Sequence, residues 1–328
     1  MASLFAAVVT VPVSAATFTV TSTADSTASG TLRWAIGQAN GVAGADSIHF
    51  NIAGGGVKSI ALLSPLPDIG TTMTLDGTTQ PGYAGTPLIE LNGSGAGAGA
   101  NGLNVASANN LIRGLAINRF GGRGVSITSL AGGTTVSGCH VGTDAAGTAA
   151  LANAGTGIFI AGSPSNTVGP GNVVSGNLVD GVRIDAAAAT GNVVKGNRIG
   201  TNLAGTAALP QTFNGVVISG ASNNLIGGSG SADGNVISGN MRNGVAISGG
   251  GSGNRLERNH IGVAADGNTA LGNGWDGVLV VDSPGNAIGG GVAGTYNVIS
   301  ANGGDGVELR GDATDNCVVQ RNLIGLDV

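Results

Sequence analysis

A glycine followed by apolar residues flanking one outward position returns eight times along the chain. The copies are GLNV from Gly102, GVSI from Gly124, GIFI from Gly157, GVRI from Gly181, GVVI from Gly215, GVAI from Gly244, GVLV from Gly277 and GVEL from Gly306. Successive copies lie 22 to 34 residues apart. Alternation of period two marks a short strand with one buried face. Self-similarity at intervals of roughly 20–50 residues marks a solenoid.

Two further patterns run between these copies. One has its stem at Val141, Ile199, Ile261 and Ile324, with NVVSGN from Asn172, NVISGN from Asn235 and NVISAN from Asn297 interleaved. The other places Asn166, Asn224 and Asn286 two residues before Val168, Ile226 and Ile288. Pairing alternate copies gives a two-coil repeat. Asn suits the corners because it tolerates positive φ, and identical amides can bond one another up a stack. Three recurring sets imply three short strands per coil. The expected fold is all-β: a right-handed parallel β-helix with a rise of about 4.8 Å per coil.

Before the repeats, the alternation in residues 17–23 predicts a strand, and Thr31 is placed to N-cap a short helix with Leu32, Ala35, Ile36 and Ala39 on one face. Such a helix would cap the solenoid's open end, covering core side chains and unpaired strand edges. Strand-like runs follow at 47–52, 59–63, 72–75 and 88–91. Residues 17–100 are therefore expected to be a capping region with the first coils, and residues 101–328 the repeats. Residues 2–16 form an apolar run ending at Val13-Ser14-Ala15, which reads as a secretory signal and cleavage triplet; the alternative is a buried first strand.

Composition narrows the function. The 63 glycines follow no Gly-X-Y triplet, and 41% apolar residues are too many for a disordered chain. A net charge of −5 with 13 scattered Lys and Arg argues against a nucleic-acid partner. No long uninterrupted apolar run follows the N-terminal segment, so no membrane span is expected.

The stretches SGTLRWAIGQAN, GADSIHFNI, LLSPLPDI, LDGTTQPGYAGTPLIELNGS and NGVVISGASNNLIGG resemble bacterial secreted right-handed β-helix proteins. The N-terminal part is similar to the region named for a Cys-Ser-Leu-Arg-Glu-Ala motif, with Gly30, Thr31 and Trp34 in the places of Cys, Ser and Glu. The remainder resembles the pectin-lyase-like repeat region, and the likeness spans about residues 17–328. The resemblance implies a secreted or cell-surface protein, either structural and adhesive or acting on acidic polysaccharides. The Asn-Thr-Asp, Gly-His-Gly and Arg-Ile-Lys segments it implies for the hydrolytic branch do not occur here. Earlier copies of the stem ending at Ile324 continue into a loop and another strand, so the sequence reads as part of a longer chain; otherwise a monomer is expected.

The repeat also tests each reactive residue against its sister copies. His140 and His260 share a position with Arg198 and Leu323, which marks an outward strand site rather than a zinc ligand. Cys139 and Cys317 stand where sister copies have Asn, about six coils or ~29 Å apart, so two free thiols are expected. The residue before each glycine in the last five copies is Asp180, Asn214, Asn243, Asp276 and Asp305. Asp276 and Asp305 fall on adjacent coils, about 5 Å apart, with Asp282, Glu308, Arg310 and Asp312 in nearby register. Asp276, Asp305 and Arg310 are therefore the candidate catalytic residues. Paired carboxylates at that spacing suit glycoside hydrolysis or a Ca²⁺ ion, although neither a cofactor nor a calcium repeat is indicated. The plainer reading is that Asp serves the turn as Asn does.

The loops GTDAAGTAAL, GTNLAGTAAL and GVAADGNTAL should protrude on one side at every second coil, as regular packing rather than a binding face. Trp275 is the one aromatic residue near the acidic group. The expected function is a structural or adhesive segment contacting extracellular polysaccharide or cell-surface components. The alternative is a polysaccharide lyase, hydrolase or epimerase.

Overall fold

The computed structural model describes residues 14–128 and 131–325. The cleavage triplet and the apolar run before it lie outside these residues, save for Ser14 to Ala16. Short strands assemble into three parallel sheets, one strand of each per coil. Sheet 1 has eleven strands, from Thr17–Val20 to Val318–Val319. Sheet 2 has ten, from Lys58–Ala61 to Leu323–Ile324. Sheet 3 has eight, from Leu103–Val105 to Val307–Arg310, and contains all eight glycine-led copies.

The two-coil periodicity resolves into single columns. Val141 pairs with Val174, Val174 with Ile199, Ile199 with Ile237 and Ile237 with Ile261. The stem residues and the NVISGN set therefore occupy one column on alternate coils. Matching columns run through Val136, Val168 and Val194 in sheet 1 and through Ile160, Ile184 and Ile218 in sheet 3. All are fully buried. The expanded core is thus a stack of small aliphatic side chains, each lying over its own kind.

The recurrent glycine has a steric cause. A Cβ at Gly181, Gly215, Gly244 or Gly277 would lie 2.6–2.7 Å from the carbonyl oxygen of the glycine one coil further on. Any side chain there would push successive coils apart.

Each corner carries a buried amide ladder. Between sheets 1 and 2 it runs through Asn172, Asn197, Asn235, Asn259 and Asn297 to Asn322, every Nδ2 donating to the Oδ1 of the next coil at 2.9–3.0 Å. Each Nδ2 also donates to a strand carbonyl, as Asn235 does to Val194 at 2.8 Å, and every Oδ1 but that of Asn197 also accepts a backbone N–H. A second ladder, from Asn166 to Asn286, joins sheets 3 and 1. The third contains Asn153, Asn177, Asn240, Asn273 and Asn302. Gln211 interrupts it, and the Oδ1 of Asn240 is left buried without a partner. The positive φ expected of these asparagines falls instead on the residue before them, as at Ser165 (58°), Gly191 (68°) and Asn223 (58°).

The capping helix α1 spans Leu32–Gly41, with Thr31 Oγ1 accepting from the Trp34 N–H at 3.4 Å. Leu32, Ala35, Ile36 and Ala39 are its buried residues and join Val20 and Ile48 in the core. Trp34 meets Phe18 edge to face at 5.9 Å. At the other end, Leu309, Val319 and Ile324 continue core columns and are 41–43% exposed.

Two predictions follow from the packing. Asn235→Ala removes the acceptor of one backbone N–H and one amide, and the donor to the Val194 carbonyl. Unfolding free energy should fall by about 3 kcal/mol, measured by denaturant titration; a loss below ~1 kcal/mol would mean the ladder is not a source of stability. Both cysteines are free, Cys139 buried with its thiol pushed up to about 12 by burial, and Cys317 half-buried. A thiol reagent at neutral pH should therefore label only Cys317 in the native protein and both after denaturation.

Candidate functional site

The outer face of sheet 3 carries Arg123, Arg183 and Arg242 beside the rings of Phe159, Phe213 and Trp275. Phe159 projects outward between the buried Ile158 and Ile160, and the guanidinium of Arg123 lies 3.8 Å from its ring centre. Arg183, one coil on, pairs with Asp180 at 3.5 Å and Asp185 at 3.8 Å. These residues, with Thr156 and Val179, line a depression of about 370 Å³. Arg123 has no carboxylate partner among the described residues. Burial, together with the charge of Arg183, holds its pKa below the ordinary arginine range.

Further along the same face, the corner residues stack. Arg242 lies 4.2 Å from the ring centre of Phe213 and 4.8 Å from that of Trp275, which is half exposed. Phe213, Arg242 and Trp275 each precede the Asx-Gly corner of successive coils, so the parallel register alone brings them into file. Beside them the strand positions are Val217, Ala246 and Leu279, an apolar floor. From Arg123 to Trp275 is five coils, about 24 Å.

Beyond Trp275 the face turns acidic. One carboxylate oxygen from each of Asp276, Asp305 and Glu308 falls within 4.8 Å of the others. Asp276 Oδ1 accepts the Asp305 N–H at 2.9 Å, and Asn243 Oδ1 accepts the Asp276 N–H at 3.0 Å. Asp276 is therefore one rung of an outer ladder that also holds Asp180, Asn214 and Asn243. Arg310 reaches Glu308 at 3.6 Å and does not join the aspartates. Three oxygens, one of them carrying a ladder bond and another facing Arg310, supply at most half of the six to eight that Ca²⁺ takes, so the donor set does not fit that ion.

The model described as "right handed beta helix region" matches residues 89–261, more than half of the chain. The chain belongs to the right-handed β-helix family. No curated protein matches it in sequence. Among solved structures, this β-helix is similar to the periplasmic alginate epimerase AlgG at 14% identity and a TM-score of 0.55, over 86% of this chain and 62% of that one. A mutant of the same enzyme aligns at 15% identity and a TM-score of 0.54, over 85% and 62%. The chain thus spans about three fifths of the length of those enzymes. At this identity the likeness establishes the handedness and the pectin-lyase-like fold. No helix among the described residues is long and apolar enough to cross a membrane.

Of the three residues predicted from sequence, the β-helix brings Asp276 and Asp305 together and leaves Arg310 outside their contact. Glu308 completes the carboxylate group instead. Trp275 is not alone: Phe213 and Arg242 file beside it. Phe213 and Arg242 are not signalled by the repeat itself; their shared place just before Asn214, Asn243 and Asp276 is the one sequence feature that marks them. The Phe213–Arg242–Trp275 stack forms within the single column that precedes the corner, while Arg123 meets Phe159 between columns.

The histidines need correction too. His140 and His260 do point outward, yet His140 is buried. The reason is that the long loops do not protrude. They fold back over sheet 2 and bond one another, Leu203 N–H to Gly147 O at 2.8 Å and Ala265 N–H to Gly205 O at 2.9 Å. A Cβ at Gly147 would lie 3.1 Å from the His140 ring.

Burial pushes both imidazoles below their ordinary range. Their charged forms are disfavoured in the fold, so nothing is lost above the unfolded value of about 6.5, and stability falls as pH drops through it because the unfolded chain takes up the proton first. His140→Val, which copies Val173 of the next coil, should flatten the decline of Tm between pH 7 and 5. An unchanged slope would place the pH dependence elsewhere.

Proposed function

We propose that this β-helix is a secreted or cell-surface protein that holds an acidic polysaccharide against the outer face of sheet 3 without cleaving it. The observation that carries this reading is the Phe213–Arg242–Trp275 stack, continued by Arg123, Phe159 and Arg183. Aromatic faces pack against sugar rings, and guanidinium groups bind carboxylates in bidentate fashion. The face is long and shallow rather than enclosed, which suits a polymer lying along the axis. The fold neighbours named as alginate epimerases are compatible with a uronate ligand. Asp276 serves a turn ladder in which Asn stands at 214 and 243, and this supports binding without catalysis.

The second reading is a lyase, hydrolase or epimerase using Asp276, Asp305 and Arg310. It rests on the carboxylate group beside Trp275, at a spacing that suits a retaining glycosidase. One experiment separates the two. Alginate, polygalacturonate and a neutral glucan are titrated calorimetrically, and the mixtures are assayed for unsaturated or shortened products. The expected result is salt-sensitive binding of the two acidic polymers only, weakened at least tenfold by Arg242→Ala and by Trp275→Ala, with no product. Cleavage or epimerisation abolished by Asp276→Asn would establish the second reading. Absence of binding to either acidic polymer would overturn the first.

A further inference from the structure

Sheet 2 carries a different feature on the other side of the coil. Its outer face holds a cavity of about 470 Å³, lined by Arg198, Arg258 and His260 together with Pro170, Val236 and Ala265. The back-folded loops roof it, with Gly205 against Arg198. The Nε atoms of both arginines are buried without a hydrogen-bond partner, and neither guanidinium pairs with a carboxylate among the described residues. Desolvation holds Arg198 below the ordinary arginine range and His260 below that of histidine.

The surrounding charges do not neutralise the cavity. Asp233 is taken by Lys195 at 3.2 Å. Asp266 turns into its own loop, accepting from Thr269 Oγ1 at 2.6 Å and from two backbone N–H groups, which hold its carboxyl down to about 2. Three fixed cations thus face two carboxylates, in a protein whose net charge is −5. Arg258 adds an observation of its own. It has φ +61° at a corner where three earlier coils place Gly138 (57°), Gly171 (81°) and Gly196 (63°) and a later one places Arg321 (51°). A left-handed arginine is strained, and no ion pair among the described residues offsets that strain. Arg198 likewise stands in a column where the adjoining coils carry Val173 and Val236.

We propose that this cavity binds a monosaccharide-sized molecule bearing one oxyanion, a sugar acid or a sugar phosphate, with Arg198 and Arg258 clamping the charged group. Its volume falls within the range of small-molecule sites, roughly 300–1,000 Å³, and exceeds what a bare inorganic anion fills. The site is separate from the polysaccharide face and does not depend on it.

The test uses calorimetry on the full chain with galacturonate, glucose 6-phosphate, glucose and inorganic phosphate. At least one of the two charged sugars should bind, glucose should not, and the preferred one identifies the oxyanion. Arg258→Gly and Arg198→Val, which restore what sister coils carry, should each weaken binding at least tenfold. Arg258→Gly should also leave Tm unchanged or raise it, since it removes the strained residue. Should Arg258→Gly misfold, Arg198→Val still decides the clamp. Binding that survives both substitutions, or no binding by either charged sugar, would overturn the proposal. Inorganic phosphate binding as tightly as the sugars would overturn the ligand size. Arg242→Ala must leave this binding intact; if the polymer reading fails while the clamp holds, the two outcomes remain distinct.

Discussion

The coils of this protein turn three corners, and at each corner backbone polar groups face an aliphatic core. The stacked amides of the three ladders meet that requirement. One Asn side chain accepts an N–H from the neighbouring coil, donates to a strand carbonyl and bonds the next amide, so three needs are satisfied by one residue. Buried polar networks stabilise only when nearly all their members are paired. The lone break, where Gln211 leaves Asn240 Oδ1 without a donor, shows how little departure the stack contains. The glycine column works beside the ladders as a steric constraint, since a Cβ there would meet the next coil's carbonyl.

This arrangement leaves the outer faces free to vary. The same coil geometry presents Phe213, Arg242 and Trp275 on one sheet and the roofed cavity of Arg198 and Arg258 on another. A side chain that points outward has few packing obligations, so the proposed ligand contacts fall on positions the core does not use. The two faces differ because the loops fold over sheet 2, leaving a partly covered hollow, while sheet 3 stays open as a shallow track.

Much of this was legible in the repeat. The parallel β-helix, its three strands per coil, the capping helix with its buried face of Leu32, Ala35, Ile36 and Ala39, and the asparagine stacks all follow from periodicity and capping rules. The free state of Cys139 and Cys317 follows from their positions in different coils. Asp276 shares its position with Asn214 and Asn243 in sister copies, and in the fold its Oδ1 accepts from Asp305 while its N–H donates to Asn243. Comparison with sister copies did not show that His140 would be buried, because burial came from a loop expected to project into solvent.

The sequence by itself determined the coil, because strand alternation, corner asparagines and the column of glycines are local requirements repeated often enough to be read without ambiguity. Only the tertiary structure decided which side chains meet across coils and where the loops lie. Arg242 touches Phe213 and Trp275 through a stacking direction perpendicular to the chain. Arg198 and Arg258 line one cavity across the intervening coil, whose Ala232, Gly234 and Val236 are small enough to leave space between them. Such contacts depend on register and on loop direction, neither of which is encoded in the pattern of any single repeat.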